Sequence, residues 1–65
     1  MMIHEEREIE KYAGMRIEYI TKVFENGSPV NEVVVYDPST RQSITMSKGG
    51  MRSLAARLLE KLKND

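Results

Sequence analysis

The chain has no cysteine and no tryptophan, one histidine, two prolines and a net charge of zero. Without cysteine there is no disulfide framework to staple so short a chain, and the redox compartment is left open. There is no glycine-rich phosphate loop. No apolar run approaches the roughly 18 residues that a membrane span needs, and the acidic N-terminus does not read as a signal peptide. A cytoplasmic protein is the default expectation. Sixty-five residues make at most one small domain. A chain of that size buries only about 60% of its unfolded surface, so a bound partner or self-association is the obvious remaining support. With 40% hydrophobic residues, the composition still suits a globular domain rather than a disordered tail.

The zero net charge hides an asymmetry. Residues 1–32 carry seven acids against four bases, a balance of −3, whereas residues 33–65 carry six bases against three acids, a balance of +3. The basic half holds Arg41, Lys48, Arg52, Arg57, Lys61 and Lys63. Such a molecule can offer one basic face to phosphate, although an ordinary solvated helix surface has the same composition.

Local patterns predict an α+β domain spanning residues 1–65 with the order α-β-β-β-α. Residues 3–13 are rich in helix formers with glutamates early and Lys11 late, and Gly14 stands where a left-handed cap would end a helix. The apolar spacing there is thin, and a strand is the alternative. From Met15 the period becomes two. Ile17, Tyr19, Thr21 and Val23 share one face; Arg16, Glu18, Ile20, Lys22 and Phe24 share the other. Asn26, Gly27 and Pro29 form a breaker. Val33 to Tyr36 read as a second strand, Pro38 sits in a turn, and Gln42 to Met46 read as a third strand.

Ser47 can cap the last helix, but Gly49 and Gly50 weaken its first turn and argue for a start near Gly50. Met51, Leu54, Ala55, Leu58, Leu59 and Leu62 then recur at helical spacing, with Arg57 and Lys61 opposite. The expected fold is therefore a three-stranded antiparallel meander with two helices on one face. Ile20, Phe24 and Tyr36 would lie on the outer face, as a partner or dimer contact.

Chemistry is sparse. His4 with Glu8 makes one weak metal pair at helical spacing, and an exposed side chain is the far better reading. The serines have no neighbouring imidazole, and the glutamate cluster has no burial to shift its proton affinity. The expectation is a protein that is not an enzyme and has no cofactor or metal.

The element order and the last helix together resemble the double-stranded-RNA-binding domain, across essentially the whole chain. That family opens its second helix with Ser-Lys-Lys-x-Ala-Lys-x-x-Ala-Ala and has a Gly-Pro pair in its first long loop. Here stand Ser47-Lys48, Arg52 and Ala55-Ala56, with Gly27-Ser28-Pro29 in the loop. Gly49 replaces the second lysine, and the loop histidine is absent. The resemblance implies that Lys48 and Arg52 contact phosphate while Gly27 and Ser28 approach the minor groove.

A looser resemblance links Ile44-Thr45-Met46-Ser47 and the leucine-spaced helix to the positive-cofactor type of single-stranded-DNA-binding coactivator. In that family a curved sheet passes through an Ile-Ser-Leu-like strand end into a C-terminal helix, and the protein dimerises. On the three-strand reading this chain is one strand short of it. Two functions follow as expectations. One is a phosphate-led nucleic-acid-binding module, for RNA or DNA, using Lys48, Arg52, Arg57, Lys61, Arg41, Gly27 and Ser28. The alternative is a protein-interaction module, a small adaptor, subunit or inhibitor, that uses the outer sheet face or a strand edge. Homodimerisation is an expectation of both, because an uncovered sheet leaves two edges.

Overall fold

The computed structural model describes residues 1–63. Four strands, β1 (Met2–Tyr12), β2 (Met15–Phe24), β3 (Val30–Asp37) and β4 (Gln42–Ser47), precede a single helix, α1 (Lys48–Leu62). They form one antiparallel sheet in the order β1-β2-β3-β4. The expected α-β-β-β-α order is therefore corrected to β-β-β-β-α, with no N-terminal helix and four strands instead of three.

The reason lies in pairing. Helix propensity is a weak preference, and the first segment has no apolar stripe that a helix could bury. As a strand it pairs with β2 along nearly its whole length, from Met2 opposite Phe24 to Tyr12 opposite Met15, with one irregularity between Met2 and His4. Gly14 is not a helix cap. With Ala13 it makes the two-residue turn of the first hairpin, and both residues have positive φ, 53° and 78°. Paired positive φ values are what a type I′ hairpin turn requires.

The next turn uses Gly27 at φ 106°, with its amide donating to the Phe24 carbonyl. In the last one, Asp37 Oδ1 accepts from the Ser39 amide at 3.0 Å and the Ser39 hydroxyl at 2.7 Å. Both bonds hold the Asp37 carboxyl below its ordinary proton affinity.

The helix starts at Lys48, two residues earlier than the glycines suggest. The Ser47 side chain accepts from the Gly50 amide at 3.0 Å, so the cap outweighs the glycine cost in the first turn. Gly50 backs onto Met46, and the helix approaches only β3 and β4.

Register divides the sheet into two faces. The inner face, beside the helix, carries Glu6, Glu8 and Glu10 from β1, Ile17, Tyr19 and Thr21 from β2, Val33 and Val35 from β3, and Ile44 and Met46 from β4. The outer face carries Glu5, Arg7, Ile9 and Lys11, then Arg16, Glu18, Ile20 and Lys22, then Glu32, Val34 and Tyr36. Among the described residues, only Ile20, at 6% exposure, and Val33, at 8%, are buried apolar side chains.

Ala13 occupies the left-handed region at a cost of about 1–2 kcal/mol. Replacing it by Asn, the residue favoured before Gly in this turn, should stabilise the fold by about 0.5–1 kcal/mol, seen as a higher urea midpoint at unchanged slope.

Candidate functional site

The outer face is covered by its own ion pairs. Glu18 is 7% exposed yet lies on the side away from the helix. Its Oε1 accepts from Arg7 Nη1 at 2.6 Å, and its Oε2 lies 3.2 Å from Arg16 Nε. Lys22 pairs with Glu32 at 2.9 Å, and the Arg16 guanidinium sits 5.0 Å from the Tyr36 ring centroid. Register sets Ile20 between Arg7 and Glu32 across the strands and between Glu18 and Lys22 along its own, and long side chains of this kind can cover an isoleucine on a face without a helix. Ile20 thus offers little surface to a partner, and Phe24 and Tyr36 are half-buried.

The inner face is built differently. The helix approaches this face only over β3 and β4, where Val33 is buried while Ile44 stays exposed, and it leaves the β1–β2 half open. A groove of about 250 Å³ runs between Lys48 and Glu8, floored by Tyr19, Thr21, Asn31 and Val33. On this face β1 presents Glu6, Glu8 and Glu10 in one row, of which Glu8 lines the groove. The Tyr19 hydroxyl donates to Glu10 Oε1 at 2.6 Å, and this bond raises the Tyr19 proton affinity above its ordinary value. His4 pairs with Glu6 at 3.1 Å; with the segment a strand, the helical His4–Glu8 spacing does not arise. No group of three potential metal ligands exists among the described residues, and no described helix is long and apolar enough to cross a membrane.

The helix carries the remaining candidates. Lys48, Arg52, Arg57 and Lys61 are all exposed. They do not form one patch. At about 100° per residue, Lys48 and Arg52 border one side of the apolar stripe and Arg57 and Lys61 border the other. Arg57 lies 4.0 Å from Glu60, whereas Lys48, Arg52 and Lys61 make no ion pair among the described residues. The strand ladder puts Gly27 and Ser28 at the end of the sheet where the helix begins. Arg41, at φ 59°, sits in the β3–β4 turn at the opposite end, beyond the Asp37–Gln42 pair. The structure therefore starts the helix that carries Lys48 and Arg52 at the same end of the sheet as the Gly27 loop, and puts Arg41 at the other.

The acid row of β1 was open to reading in the sequence. Glu6, Glu8 and Glu10 alternate at period two, a strand signal masked by the helix propensity of glutamate.

No family model, curated protein or solved structure matches this chain.

Two predictions test these arrangements. Glu18→Ala leaves two arginines without their shared carboxylate and should cost about 1–3 kcal/mol in urea unfolding. In a tyrosinate absorbance titration Tyr19 should ionise above the ordinary tyrosine value, and Glu10→Gln should bring its ionisation back down toward it. The raised Tyr19 value makes the stabilisation by this bond complete below the unfolded-state pKa and lost as pH rises through the folded one.

Proposed function

We propose that this chain is a small non-enzymatic module that binds single-stranded nucleic acid, led by phosphate neutralisation with little sequence reading. The observation that supports it is the first strand. With β1 in place of a helix, the order β-β-β-β-α supplies the strand that the resemblance to the single-stranded-DNA-binding coactivators lacked. The Ile44-Thr45-Met46-Ser47 segment is then the last strand running into a capped C-terminal helix, as that resemblance implies. The double-stranded-RNA resemblance needs a first helix, which the fold does not have.

Lys48 and Arg52 are the favoured phosphate contacts. Both are exposed and make no ion pair among the described residues, they lie one turn apart, and the first helical turn adds no acid. The cap bond and the dipole of α1 make the same end favourable to an anion. Gly27 and Ser28, at the same end of the sheet, would line the approach. Arg41 is too far along the sheet to share a phosphate with Lys48, and would meet a strand only several nucleotides away.

The test is fluorescence anisotropy of labelled single-stranded DNA, single-stranded RNA and duplexes at low and physiological salt. Single strands should bind best, and affinity should fall steeply with salt. Lys48→Ala with Arg52→Ala should weaken all sequences alike and flatten the logarithmic salt slope by about 1.4, roughly 0.7 for each cation. Absence of binding at low salt would sink the proposal, and an unchanged slope would remove these two residues from it.

A further inference from the structure

The protein has more surface than a monomer of its size should keep. Its accessible surface is 5415 Å² for a mass of 7.5 kDa. The usual scaling for a folded monomer of that mass gives about 4,250 Å². The excess, about 1,150 Å², exceeds the roughly 800 Å² that one partner buries in a stable interface of ordinary size. The radius of gyration agrees: 14.1 Å, against about 11 Å for a compact chain of this length.

The excess has a location. On the helix, Leu58, Leu59 and Leu62 are 50%, 68% and 65% exposed, and only Met51 and Leu54 are even half-buried. On the sheet, the β1–β2 half of the inner face is open, with Tyr19 at its centre. One helix is about 10 Å wide and reaches across two strands at about 4.8 Å spacing, not four. A second helix of the same kind would complete the layer.

We infer that a second copy of this chain supplies that helix, its C-terminal half lying in the β1–β2 groove of the partner while the first copy's helix lies in the partner's matching groove. The exchange is two-fold symmetric and closes at two copies.

Charge selects this occupant. The helix half that is apolar and bare is edged by Arg57 and Lys61, and the groove that is open is edged by Glu6, Glu8 and Glu10. Cations four residues apart on a helix rise about 6 Å, and carboxylates two apart on a strand about 6.7 Å, so the two rows match in spacing. Helix-on-helix pairing is disfavoured, because both borders of the apolar stripe are basic. Edge pairing through β1 is disfavoured too, since Glu5, Glu6, Arg7, Glu8, Glu10 and Lys11 crowd that strand with charge. The association needs no nucleic acid and stands apart from the nucleic-acid reading.

The test uses the whole chain without nucleic acid. Sedimentation equilibrium should give about 15 kDa, twice the chain mass of 7.5 kDa. The variants E6K/E8K and R57E/K61E should each fall to monomer while keeping the circular dichroism of the parent. Mixed in equal amounts they should return to 15 kDa, because the reversed sheet of one meets the reversed helix of the other and the remaining contact is native. A parent chain that stays monomeric at tens of micromolar would overturn the inference. So would a dimer that neither pair of reversals weakens, or two monomeric variants that fail to associate on mixing.

Discussion

A fifteen-residue helix cannot cover a sheet whose first strand alone has eleven residues, and most of this structure follows from that mismatch. The helix spans about 22 Å in length and about 10 Å in width, room for two strands of four. Burial is accordingly thin. Val33 is sealed where the helix begins, and the leucines of its later turns stay wet. A domain of this size has little hydrophobic stabilisation to spare, so each apolar side chain left bare is a large fraction of the total.

The outer face solves the same shortage by other means. It has no helix, yet Ile20 is as deeply buried as Val33. Its cover is a layer of long charged side chains whose heads are tied to one another, Arg7 and Arg16 to Glu18 and Lys22 to Glu32. Exposed ion pairs contribute little by themselves. Here they also tie together the long side chains that register sets around the isoleucine, and Glu18 is buried enough for its two arginines to matter. That face is self-sufficient, and the incomplete one is the face beside the helix.

How much of this was legible in the sequence differs by element. The alternation from Met15 to Phe24, the β-branched run at Val33, the Asn26-Gly27 breaker and the leucine spacing of the helix all report real elements. They are legible because each has an apolar period that burial enforces. Residues 2–12 failed for the opposite reason. All of that strand is exposed, so nothing in its pattern records burial, and the helix preference of its glutamates dominates the reading. The decisive signal was Ala13-Gly14, two residues between two extended runs, which reads equally as a helix cap and as a hairpin turn. Burial on the outer face was hidden as well, since a roof of arginine and lysine stems looks in sequence like ordinary surface. The separation of the helix cations into two pairs could have been read from their spacing, because Arg52 and Arg57 stand five residues apart.

That separation lets the two proposed uses of the helix coexist. Lys48 and Arg52 border one side of the stripe at the helix start, at the same end of the sheet as the Gly27 loop. Arg57 and Lys61 border the other side, two to three turns further on. A partner seated on the later turns takes up Arg57 and Lys61 against its own glutamates and leaves the first pair facing water. The acid row is then neutralised at the seam and no longer repels a phosphate chain, so dimerisation would turn a chain of zero net charge into a particle whose free charge is mainly basic at the helix starts. Two such ends, related by the two-fold axis, would give a single strand two equivalent sites. Binding to both converts the second contact into an intramolecular one, and modest phosphate contacts then suffice for useful affinity.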